Sequence, residues 1–129
     1  MNFKACLLGA FLALAVSAGP AAAWDQIGAR DVRDRTDRTD RDTITLNGHR
    51  QFERIKLCVY RNPVHFLDLD VRYRNGGHQD VSVAQRINPG QCTRAIDLNG
   101  DDRDITTISM LYEETSFRRR HATVRVFGE

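Results

Sequence analysis

The chain has 129 residues, 28% of them charged and 41% hydrophobic, with 19 Lys and Arg set against 17 Asp and Glu for a formal charge of +2. That near balance argues against a nucleic-acid partner, because nucleic-acid binders concentrate basic charge on one face. The length allows one domain around one modest core.

At the start, Lys4 supplies a positive charge and Ala5 to Val16 an apolar run, and a small-residue tail closes on Ala21-Ala22-Ala23. This is the pattern of a secretory signal peptide with an A-x-A cleavage site. The mature chain is therefore expected to begin at Trp24 and to work in the periplasm or outside the cell. The run falls short of the about 20 apolar residues a membrane-crossing helix needs, so no membrane span is expected. Removal of residues 1–23 would leave Cys58 and Cys92 as the only cysteines. In an oxidising compartment they are expected to form one disulfide, and the C-x-x-C spacing of a redox pair is absent.

The next stretch, Asp34 to Arg41, repeats Asp-Arg-Thr with no apolar residue. Such a segment cannot bury enough surface to order itself and reads as a solvated loop. It separates an N-terminal strand and loop, 24–42, from a body spanning 43–129, the two together forming one domain.

From Thr43 onward, turn signals fall every 10 to 15 residues: Asn47-Gly48, Asn62-Pro63, Asn75-Gly76-Gly77, Asn88-Pro89-Gly90 and Asn99-Gly100. Between them apolar and polar residues alternate with period two. Ile55, Leu57 and Val59 share one face, with Arg54, Lys56 and Cys58 on the other. Leu67, Leu69, Val71 and Tyr73 face one way and Asp68, Asp70, Arg72 and Arg74 the other. Val81 and Val83, Ile96 and Leu98, then Ile108, Met110 and Tyr112, and finally Ala122, Val124 and Val126 continue the pattern. Val64 and Phe66 are out of phase with the row that follows, which predicts a β-bulge near Phe66. Seven strands result, or eight if Ile27 to Val32 adds one. A single open sheet of that size would leave an apolar face wet, so the expected fold is an antiparallel β-sandwich or jelly roll.

The search for catalytic motifs is negative: there is no G-x-S-x-G, no H-E-x-x-H and no phosphate-binding glycine loop. His49, His65, His78 and His121 are scattered without metal-ligand spacing. Asp68 and Asp70, at i and i+2 of a strand, put two carboxylates on one face about 6.5–7 Å apart. That spacing is usable in glycoside hydrolysis, although Arg72 and Arg74 continue the face as an ion-paired surface. Asp97, Asn99 and Asp101 begin like a calcium loop, but Asp102 replaces the turn glycine and Ile108 the closing Glu. Arg118, Arg119 and Arg120 form a cationic cluster before the last strand that could grip a phosphate, sulfate or uronate.

The strands and turns carry a resemblance. The matching residues are Trp24-Asp25-Gln26-Ile27-Gly28, Asp40-Arg41-Asp42-Thr43-Ile44, Phe52 with Ile55-Lys56-Leu57, and Ile96-Asp97-Leu98-Asn99-Gly100 with Arg103 and Ile105. Tyr112 and Ala122 to Gly128 complete the set. The pattern resembles the YaaI-like family of small exported bacterial proteins, a domain of unknown function. The resemblance implies an exported β-sandwich and supplies no catalytic residues. The reading is a non-catalytic binding or envelope-associated module without cofactor, whose expected partner is an anionic envelope polymer or a glycan. The alternatives are a small envelope hydrolase acting on glycans through Asp68 and Asp70, and a calcium-stabilised domain using the loop at Asp97.

Overall fold

The computed structural model describes residues 23–33, 39–100, 103–114 and 121–129. These residues build nine strands: β1 (Asp25–Arg33), β2 (Asp40–Thr45), β3 (Gln51–Phe52), β4 (Arg54–Tyr60), β5 (Val64–Tyr73), β6 (His78–Ile87), β7 (Ile96–Asp97), β8 (Arg103–Glu114) and β9 (His121–Gly128). Two antiparallel sheets result. Sheet I has the order β1-β9-β4-β7 and sheet II the order β2-β8-β5-β6, with β3 added to β8. The expected all-β sandwich is present, with nine strands where seven or eight were expected. Counting the N-terminal strand among the eight, the strand that alternation did not show is β3, at two residues too short to reveal a period, whereas β7 falls on the Ile96 and Leu98 segment. No helix among the described residues is long and apolar enough to cross a membrane.

The core lies between the sheets. Ile55, Leu57, Val59, Val124 and Val126 come from sheet I, and Val64, Phe66, Leu69, Val71, Ile108, Met110 and Tyr112 from sheet II; all are at most 1% exposed. Burying side chains of this size contributes about 1.5–3 kcal/mol each, and this is the main force holding the layers face to face.

The bulge expected near Phe66 is present, and it corrects one assignment. Between Phe66 and Asp68 the β5 register shifts against both neighbours. Against β8 the extra residue is Leu67, while against β6 the extra residue lies on β6, where Val83 and Ala84 stand opposite Leu67. Leu67 is only half-buried, whereas Phe66 is fully buried. Leu67 therefore does not share the inward row of Leu69, Val71 and Tyr73, because a period-two count cannot run through a bulge. On β6 the same irregularity takes in Ala84, a non-glycine residue at φ 45°.

Cys58 and Cys92 are bonded. Cys92 belongs to a segment laid along the outer edge of β4. The Val59 amide donates to Gln91 O, Gly90 N to Val59 O, and Thr93 N to Leu57 O, at 2.8–3.0 Å. Thr93 Oγ1 accepts from Leu57 N at 3.1 Å, which accounts for its burial. Asn88-Pro89-Gly90 turns the chain into this segment, with Pro89 setting φ and Gly90 at +84°. On the opposite flank β1 pairs with β9 through its full length. The strand β2 runs across the 42/43 boundary drawn from the sequence, so residues on both sides of it share one ladder.

Candidate functional site

The hairpin of β5 and β6 determines what the outer face of sheet II displays. Tyr73 and Gly77 close a three-residue loop, with Tyr73 N donating to Gly77 O at 2.9 Å and Gly76 at φ 94°. Gly76 is required there because this loop needs a left-handed residue in its last position. The loop fixes the register, so Asp70 stands opposite Asp80 and Arg72 opposite His78. Across β8 and β2 the same rows continue. One reads Arg41, Leu111, Asp68, Ser82; the next Thr43, Ser109, Asp70, Asp80; the third Thr45, Thr107, Arg72, His78.

The small serines leave a dip among longer neighbours. A depression of about 440 Å³ lies on this face, lined by residues that include Arg41, Asp68, Asp70, Asp80, Ser82 and Leu111. Thr43 and Ser109 share a hydroxyl hydrogen bond of 2.9 Å at its margin. Asp70 is held firmly: Arg72 Nε donates to Oδ2 at 3.0 Å, and Oδ1 lies 3.2 Å from His78 Nδ1. Asp80 Oδ1 lies 3.9 Å from the same nitrogen. Neither Asp68 nor Arg41 has a hydrogen-bond or ion-pair partner among the described residues. Chemically this is a shallow polar site with unengaged acceptors, one guanidinium donor, two hydroxyls and an apolar leucine on a rigid four-stranded floor.

Asp68 and Asp70 are thus brought together as the sequence suggested, and Asp80 and His78 join them. Sequence reasoning missed these two. The signal was available: His78-x-Asp80 shares one strand face, and a turn centred on Asn75 places that face against Asp70 and Arg72.

The other sequence candidates lie elsewhere. Asp97 borders a second depression, of about 340 Å³, with Glu53, Arg54 and Leu98. Asn99 is engaged through its backbone, its amide donating to Gln79 Oε1 at 2.8 Å and its carbonyl accepting from Arg103 Nη1 at 3.1 Å. Asp101 lies outside the described residues, as do Arg118, Arg119 and Arg120, residues 34–38 of the Asp-Arg-Thr repeat, and residues 1–22.

The outer face of sheet I has a different chemistry. Lys56 Nζ sits 4.5 Å from the centre of the Trp24 ring and 6.0 Å from that of Phe127, and the Arg125 guanidinium 4.5 Å over Tyr60. These cations are already used to cover aromatic rings.

Comparison with known proteins places the chain among domains without an assigned activity. A family model described as a domain of unknown function, DUF2541, matches residues 5–128. No curated protein matches the chain. Among solved structures, the chain is similar to one from a study titled as the structural and functional characterization of Pseudomonas aeruginosa AlgX, with 13% identity and a TM-score of 0.48. That match covers 81% of this chain and spans 26% of the length of the other.

Proposed function

We propose a non-catalytic binding role for this chain, which belongs to the DUF2541 family: it holds a glycan on the outer face of sheet II. The observation that carries this reading is the depression joining Asp68, Asp70 and Asp80 to Arg41 and two serine hydroxyls around Leu111. Sugar hydroxyls are donors and acceptors at once, and they suit a floor that offers both beside an apolar contact. Three carboxylates against one guanidinium, Arg41, in its lining leave the depression acidic, so a neutral or amino-bearing glycan fits it better than a polyanion. This narrows the partner expected from the sequence, where an anionic polymer stood beside a glycan.

A binding role is favoured over hydrolysis by the way Asp70 is engaged. Both of its oxygens have partners, Arg72 and His78. A glycosidase nucleophile or acid must meet the sugar with its carboxylate. The disulfide fits an oxidising compartment, and together with the signal-like start it supports export with a mature chain beginning at Trp24.

Calorimetric titration with neutral, aminated and uronate oligosaccharides tests the role. Binding of the neutral or aminated series, weakened at least tenfold by Asp68→Asn with the melting temperature kept, is the expected result. Absence of binding, or affinity unmoved by Asp68→Asn and Arg41→Ser, would overturn it. Sugar release that disappears with Asp68→Asn would replace the binding role by the hydrolase. Intact mass of envelope material tests export: it should lack residues 1–23 and two hydrogens.

A further inference from the structure

We propose that Asp70, His78 and Asp80 form a binding site for a divalent transition metal at the edge of the outer face of sheet II. The donor atoms are gathered from two paired strands and not from loops. His78 and Asp80 are i and i+2 on β6, and Asp70 faces Asp80 in register from β5. His78 Nδ1 lies 3.2 Å from Asp70 Oδ1 and 3.9 Å from Asp80 Oδ1, and the three donor atoms all lie within 4.8 Å of one another. Ligands about 2.0–2.2 Å from a zinc ion stand roughly 3–3.5 Å apart, so side-chain rotation of about 1 Å closes the set.

Three features of the surroundings favour a cation over a mere surface cluster. First, Asp70 and Asp80 are carboxylates directly opposite each other on adjacent strands, a repulsive arrangement that a shared cation reverses. Second, Arg72 holds the second oxygen of Asp70 at 3.0 Å and leaves Oδ1 turned to His78. This is the outer-shell hydrogen bond that orients a metal-binding carboxylate. Third, Asp70 and Asp80 also line the depression, so an ion here keeps open positions for water or for a ligand seated on the floor. One imidazole nitrogen with two carboxylate oxygens suits zinc or manganese. Calcium takes six to eight oxygens and no nitrogen.

The site shares Asp70 and Asp80 with the depression but does not require a glycan to fill it, and it is tested with metal alone. The full mature chain, free of any affinity tag and stripped with a chelator, is titrated calorimetrically with zinc chloride and manganese chloride, with calcium chloride for comparison. Zinc or manganese should bind one to one, with calcium at least tenfold weaker. His78→Ala and Asp80→Asn should each weaken binding at least tenfold, while their melting temperatures in chelator stay at the wild-type value. In nitrogen-detected NMR of the imidazoles, zinc should move the Nδ1 resonance of His78 and leave those of His49 and His65 in place. Asp68→Asn should leave metal affinity unchanged, which separates this site from the glycan reading. An absence of one-to-one binding, or binding unaffected by His78→Ala, would overturn the proposal.

Discussion

The Tyr112 hydroxyl donates to Asp42 Oδ2 at 2.6 Å. Tyr112 is 1% exposed and lies on an inner strand of sheet II, while the other oxygen of Asp42 takes the guanidinium of Arg30 on β1 at 3.2 Å. One carboxylate therefore terminates a core side chain and ties sheet I to sheet II. Tyr112→Phe should cost about 1.5–3 kcal/mol, the worth of a hydrogen bond to a charged group. Chemical denaturation at neutral pH measures it; a loss under 0.5 kcal/mol would mean that the hydroxyl contributes no more than its packing.

Reduction of the disulfide should lower stability by about 3–4 kcal/mol, from the loop it closes between cysteines 34 positions apart. The comparison is between melting curves with and without a reductant, and Cys58→Ala paired with Cys92→Ala should reproduce the reduced curve. Equal midpoints in the two states would remove the bond from the account of stability.

Gly128 closes β9 opposite Ile55, and a Cβ at this position would lie 2.6 Å from an atom of the Phe52 ring. Phe52 is 6% exposed and caps that end of the core. Gly128→Ala should therefore overpack the site and cost about 1–3 kcal/mol. Phe52→Leu in the same chain should recover part of the loss, a coupling that a double-mutant cycle reads directly.

Tyr73 gives the pH dependence. Burial raises its pKa above 10.0, against the opposing effects of the Arg103 charge and a hydrogen bond at Asn99. A group that holds its proton more tightly when folded contributes stability below its unfolded pKa and loses it as pH rises through the folded value. Stability should therefore fall in the window that opens near pH 10. Tyr73→Phe should flatten that slope while losing the hydroxyl's bond to Gln79. Denaturation midpoints measured from pH 8 to 11 check both parts.

Alternation along the strands made the inward rows legible: Ile55, Leu57 and Val59 on one sheet, and Leu69, Val71 and Tyr73 on the other. The phase break at Phe66 announced the bulge but not which residue would be expelled, and that residue is Leu67. Neighbour relations were less legible, because period two states which face a residue takes and not which strand lies beside it. Nothing local to Asp25–Arg33 indicates that it pairs with His121–Gly128 from the far end of the chain. The candidate site divides the same way. Asp68 and Asp70 could be paired by counting along one strand, whereas His78 and Asp80 needed the turn register that folds β6 back onto β5.

The segment that Cys92 fastens to β4 has a consequence for folding in a crowded solution. Beyond the two residues paired with β7, this edge of sheet I is closed by residues 90–93, which make no regular ladder. An uncovered strand edge is a template for pairing with another chain. Until the two thiols join, only a few hydrogen bonds keep that template hidden. Oxidation of one cysteine pair thus does double service: it stabilises the fold and removes a route to aggregation.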